Sequence, residues 1–204
     1  MRSAIDDLLR PGCLTPVYQP VFRIANGIPE LHGVECLTRG PKGSNFESAK
    51  ILFEYVRLKR QEQAIDRACV SAALAHVGFL PKDARVSINV HASTLGRDPA
   101  FGDFLLAAAD HASLPLSRLT IEIVEHAPPW DSETFVRVLR RLRTLGVKIA
   151  LDDVGLGQSN FKMMVEVEPD YLKLDRYFVD GCHADSDRRA VIGAVQYLGR
   201  HFGA

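Results

Sequence analysis

The chain has no excess charge of either sign: Lys+Arg and Asp+Glu both number 25 among 204 residues. A balanced surface exerts no general pull on a nucleic-acid polymer or an anionic membrane, so any anionic ligand has to be gripped locally. Cysteine is scarce and scattered. Cys13, Cys36, Cys69 and Cys182 contain no Cys-x-x-Cys pair, which argues against a zinc site or a disulfide framework and for a reduced, cytoplasmic setting. The N-terminal MRSAIDDLLR carries Asp6, Asp7 and Arg10 where a signal peptide needs an apolar stretch, and the longest uncharged run elsewhere is too interrupted to span a bilayer. There is no internal repeat, low-complexity tract or interdomain linker. Gly155-x-Gly157 is followed by no Gly-Lys-Ser/Thr, so it reads as a turn and not as a phosphate loop.

What is present is an ordinary globular composition, 47% hydrophobic and 25% charged, enough for one sizeable core in a single domain over residues 1–204. Two β-like segments, 15–24 and 31–38, flank Asn26-Gly27, a hairpin signal that makes them an antiparallel pair. The loop GPKGS at 40–44 follows, then helical stretches at 49–58 and 61–76. From there strands at 85–90, 119–124, 148–151 and 171–174 alternate with helices at 101–112, 132–145 and 188–202. In the 132–145 stretch Phe135, Val138, Leu139 and Leu142 form the apolar stripe, Asp131 is the expected N-cap and Gly146 the expected stop. Six strands are two short of a closed α/β barrel. Either roughly 40 further residues, by the usual length of a βα unit, supply them beyond Ala204, or the protein has an open edge for a partner to cover.

Nearly every strand ends in a side chain able to hold a metal or a phosphate: Glu35, Asn89, Glu122, the pair Asp152 and Asp153, and Lys173. Parallel strands alternating with helices place these ends on one rim, where an α/β barrel builds its site. One acidic residue at a strand end is ordinarily a solvated rim residue; five polar ends on one rim reverse that expectation. Oxygen-only ligands suit Mg²⁺ or Mn²⁺. Asp153 beside Asp152 would engage a second ion, as in-line phosphoryl substitution requires, and Lys173 would hold or help deprotonate the attacking water. His91 and His126 read as rim or packing residues, and Arg137, Arg140, Arg141 and Arg143 as a solvated helix face.

Six passages, YQPVF (18–22), GVECLTRGP (33–41), SINVHASTL (87–95), IEIVE (121–125), ALDDVGLGQSN (150–160) and DYLKLDRYFV (170–179), together resemble the EAL family of cyclic di-GMP phosphodiesterases in order and spacing. The resemblance implies a TIM-like (β/α)8 barrel with an antiparallel first strand, truncated here after about six strands. It implies an enzyme that binds cyclic di-GMP on the carboxyl rim and hydrolyses one ester to linear pGpG with two Mg²⁺ or Mn²⁺ ions. By the same resemblance Glu35, Asn89, Glu122 and Asp152 are metal ligands, Asp153 is a second-metal ligand and Lys173 lies near the catalytic water. Gln19 and Arg39 line the substrate side, Asp175 is a polar residue at the end of the lysine strand, and Glu125 braces the loop after Asp152-Asp153. A homodimer and sensory or regulatory domains are the implied partners.

The departures are specific. Cys36 stands for the alanine of the naming motif. The loop reads DDVGLGQSN where the family usually has DDFGTGYSS, so Leu156 offers Glu125 no hydroxyl. The family's later metal-binding glutamate and last-strand glutamine would lie after Ala204. A cyclic di-GMP receptor without turnover and a protein-interaction scaffold are the alternatives to an enzyme.

Overall fold

The computed structural model describes residues 3–124, 131–155 and 161–204. After the short α1 (Ala4–Leu8), β1 (Thr15–Ala25) and β2 (Ile28–Arg39) form an antiparallel hairpin. Asn26 (φ 51°) and Gly27 (φ 79°) both adopt left-handed backbone, as a two-residue primed turn requires. Helices α2 (Ala49–Leu58) and α3 (Glu62–Leu74) lead to β3 (Arg85–His91), α4 (Ala92–Arg97) and α5 (Phe101–His111). Then come β4 (Leu119–Val124), α6 (Ser132–Thr144), β5 (Lys148–Val154), α7 (Phe161–Val167), β6 (Tyr171–Leu174), α8 (Arg176–Val179) and α9 (Ser186–Phe202).

The six strands lie in one sheet in sequential order, and only the β1–β2 pair is antiparallel. Central parallel strands are covered on both faces. On β4 both faces are buried, Leu119, Ile121 and Ile123 on one and Thr120 and Glu122 on the other. The main core joins the sheet to α3–α7, with Val86, Ile88, Phe101, Leu105, Phe135, Leu139 and Ile149 among its members. A smaller core packs Ile5 and Leu8 of α1 against Leu52, Val56 and Ile65. Asp131 caps α6 by accepting from the Glu133 and Thr134 N–H groups, and Gly146 (φ 85°) follows the helix end.

The sheet is strongly curved. Four strand spacings separate β2 from β6, roughly 19 Å if flat. Yet Lys173 Nζ on β6 lies 3.2 Å from Glu35 Oε2 on β2. Two side chains cannot bridge that span across a flat sheet, so the strands wrap as they do in an α/β barrel. Among the described residues, no helix is long and apolar enough to cross a membrane.

Candidate metal and phosphate site

Register and the two-residue repeat of strands bring the polar ends together. Glu35 on β2 pairs with Ser87 on β3, and Asn89 lies two residues farther on the same face. Asn89 pairs with Glu122 on β4, Glu122 pairs with Ala150 on β5, and Asp152 again lies two residues farther. The result is a row of side chains on the inner face of a curled sheet. Gln19 sits opposite Glu35 on β1.

Within this row, ligand oxygens of Glu35, Glu122 and Asp152 all lie within 4.8 Å of one another. Asn89 Nδ2 donates to Glu35 Oε1 at 2.9 Å, leaving its amide oxygen as the atom with lone pairs for a cation. Lys173 Nζ lies 3.2 Å from Glu35 Oε2 and 3.1 Å from Asp152 Oδ1, and donates to Glu122 Oε2. Glu122 is the buried member, with its side chain 4% exposed. Burial pushes its carboxyl up to about 7; Lys173 opposes the rise, while Glu35 and Asp152 add to it. For Lys173, burial acts to lower the pKa, but Glu122, Asp152 and Glu35 outweigh it and the ammonium is held firmly charged.

The remaining expected residues take different places. Asp153 lies outside the three-carboxylate group and has left-handed backbone (φ 52°). Its carboxyl is raised by partial burial, then by Asp152 and Asp175. Gly155 (φ 103°) follows, and a Cβ there would meet the Phe178 ring at 2.5 Å, so this turn is pressed against α8. Asp175 accepts from the Tyr177 N–H as the N-cap of α8, which spends one of its oxygens on the helix end. Arg39 is half-buried and donates Nη1 to the Thr38 carbonyl at 3.0 Å. Glu125 and Leu156 lie outside the described residues.

One support escaped the sequence reading. Asp66 on α3, 1% exposed, accepts from the His91 backbone N–H at 2.9 Å and the Thr94 hydroxyl at 2.5 Å, and pairs with His91 Nδ1 at 2.9 Å. Burial lowers the His91 pKa, but Asp66 more than reverses this and holds it raised. This cluster ties α3 to the end of β3, two residues beyond Asn89. A carboxylate on the apolar face of α3, beside Ile65 and Cys69, was its only sequence signal. The Arg face of α6 is solvated as expected at Arg137, Arg140 and Arg141, with Arg141 in an exposed pair with Asp103 at 2.9 Å, while the half-buried Arg143 donates to the Glu168 carbonyl at 2.7 Å.

A cavity of about 540 Å³ opens beside the row, within the usual range for ligand pockets. Glu35, Asn89 and Asp152 line one side of it; Arg39, His91 and α2 line the rest. Clustered oxygen donors beside a cavity fit a hard divalent cation and an anionic ligand.

Comparison with known proteins agrees with this geometry. The family model described as the EAL domain matches residues 2–204. The chain is 30% identical over 193 residues to the cyclic di-GMP phosphodiesterase NbdA of Pseudomonas aeruginosa, covering 88% of this chain and 23% of that protein. It is 29% identical over 209 residues to the probable cyclic di-GMP phosphodiesterase PdeG of Escherichia coli, covering 98% and 39%. The chain thus spans about a quarter to two fifths of the length of these relatives. Among solved structures, the Bacillus subtilis YkuI protein, with an EAL domain and in complex with substrate cyclic di-GMP and calcium, superposes with a TM-score of 0.76. Identity there is 26%, over 100% of this chain and 51% of that one.

Proposed function

This chain belongs to the EAL domain family, and from that premise we propose that it binds cyclic di-GMP and hydrolyses one of its phosphodiesters to linear pGpG. The observation that carries the reading is the convergence of Glu35, Glu122 and Asp152 oxygens within 4.8 Å, with Lys173 against all three. Glu35, Asn89, Glu122 and Asp152 would hold one Mg²⁺ or Mn²⁺, and Asp153 a second. Such ions, when bound, supply Lewis-acid polarisation of the phosphoryl group and an activated water.

The chain's own residues do the rest. Arg39 would offer paired N–H donors to a phosphate, and Gln19, opposite Glu35 on β1, would face the substrate side. Before a cation binds, Glu122, Asp152 and Glu35 hold Lys173 charged; beside the bound ions it would hold or help deprotonate the attacking water. Asp66 fixes the β3 end that carries Asn89. Asp175 anchors the end of the lysine strand by capping α8. A cytoplasmic setting, a homodimer and sensory or regulatory domains belong to the same reading, since cyclic di-GMP is an intracellular bacterial messenger.

Calorimetry with cyclic di-GMP and Mn²⁺, together with chromatography of pGpG, tests the proposal. The parent should bind and hydrolyse, and Glu35→Ala should do neither. Cleavage by Glu35→Ala at the parent rate would falsify the site. Arg39→Ala should weaken binding by about 1 to 3 kcal/mol, the range for a charged hydrogen bond. Leu156, in place of the family's threonine, favours a second reading: a receptor that binds cyclic di-GMP and releases no pGpG.

A further inference from the structure

The cleft does not end at the carboxylates. It continues along α2, where Phe53, Glu54 and Arg57 line it together with Lys50. Positions 50, 53, 54 and 57 recur at one-turn spacing, so a single side of the helix faces the cavity. Phe53 presents an aromatic surface, its ring centroid 5.6 Å from that of His91. Glu54 and Arg57 are exposed at the cleft. Although i, i+3 neighbours of opposite charge readily pair, no ion pair or side-chain hydrogen bond joins them among the described residues. A ring, a carboxylate and a guanidinium are therefore presented side by side to whatever lies next to the phosphate site.

That combination is complementary to guanine. Its N1–H and N2–H donors sit together and match a carboxylate; its O6 and N7 acceptors sit together and match a guanidinium fork. Its face stacks on an aromatic ring. Adenine reverses the pattern, with an acceptor at N1 and a donor at N6, so the same charges would meet unpaired like groups. We propose that Phe53, Glu54 and Arg57 of α2 form the base-reading subsite of this cleft and select guanine in the cyclic dinucleotide. The inference rests on the proposed function for its ligand and adds to it the source of base specificity.

The test is calorimetry of cyclic di-GMP and cyclic di-AMP, each with Mn²⁺ present, on the parent, Glu54→Gln and Arg57→Met. Both substituted side chains are exposed, and unchanged melting temperatures and Mn²⁺ affinity establish that the fold and the metal site are intact. The parent should prefer cyclic di-GMP by about hundredfold or more. Each variant should lose about tenfold or more in cyclic di-GMP affinity, the loss of a charged hydrogen bond, with little change for cyclic di-AMP. Variants that keep the parent's preference overturn the inference and leave the proposed function standing, as does a parent that binds both ligands equally. A parent that binds neither ligand overturns both.

Discussion

Lys173 holds together three carboxylates that would otherwise repel one another. Its ammonium touches Glu35, Glu122 and Asp152 at once, so it is an internal counter-ion at the place where a divalent cation would find its oxygens. Lys173→Met removes that charge and leaves the oxygens. The metal-free variant should lose about 3 kcal/mol of stability, the lower end for breaking a partly desolvated ion pair. It should also bind Mn²⁺ more tightly than the parent, because no ammonium has to be displaced, while pGpG production falls. Equal or weaker Mn²⁺ binding in a titration would show that the lysine and the cation do not share these oxygens. Glu122 adds a pH dependence. Its folded value of about 7 lies above the ordinary 4.5, so the folded chain binds this proton more tightly than the unfolded chain. Stabilisation from that proton is complete below about 4.5 and is lost as pH rises through about 7. In denaturant unfolding with EDTA, the parent should lose more stability than Glu122→Gln between about pH 5 and about pH 8. Identical losses would mean that Glu122 does not carry the proton.

Elements depend on one another through such groups, and Asp66 is the clearest case. One carboxylate on α3 satisfies the His91 N–H, the His91 ring and the Thr94 hydroxyl at the β3–α4 junction. Asp66→Ala leaves those donors buried without their acceptor, at about 1 to 3 kcal/mol apiece before relaxation. Urea denaturation should register a loss of at least about 3 kcal/mol, and the freed β3 end should weaken metal binding by way of Asn89. A loss below about 1 kcal/mol would remove Asp66 from that role. This cluster also marks where sequence reading stops. The β1–β2 hairpin was legible from Asn26-Gly27, α6 from its stripe and its Asp131 cap, and β4 from the alternating apolar Leu119, Ile121 and Ile123, because each signal is local. Helices α1, α4, α7 and α8 went unread: they span 5, 6, 7 and 4 residues, too short for a helical repeat to declare itself. Of the site, strand-end positions could be read, since a period of two and a common rim follow from the fold class. That Lys173 reaches back to Glu35, 138 positions away along the chain, depends on sheet curvature, and that Asp153 lies outside the group goes with its left-handed backbone; neither is written locally.

Curvature makes the site a property of the whole sheet. Its ligands come from β2, β3, β4 and β5, with Lys173 from β6, so a cation held among them would join strands that the backbone ladder links only through their neighbours and that Lys173 alone bridges in its absence. A ligand that binds only the folded chain stabilises it by mass action, about 2.7 kcal/mol at a hundredfold excess over its dissociation constant. For a chain of this size each kcal/mol moves the melting temperature by about 2 to 4 °C, which gives roughly 5 to 11 °C. Saturating Mn²⁺ should therefore raise the melting temperature by that amount, in a single transition, and hydrogen exchange should slow on β2 through β6 together. Glu35→Ala takes a ligand from β2, the ligand-bearing strand most distant from β6 in the sheet order, so the shift should largely vanish even though the other carboxylates remain. Were the ion instead bound by surface acids, the variant would show the parent's full shift, and protection would be confined to one loop. That pattern, measured by calorimetric melting and exchange on the same two proteins, would break the connection between the curled sheet and the metal.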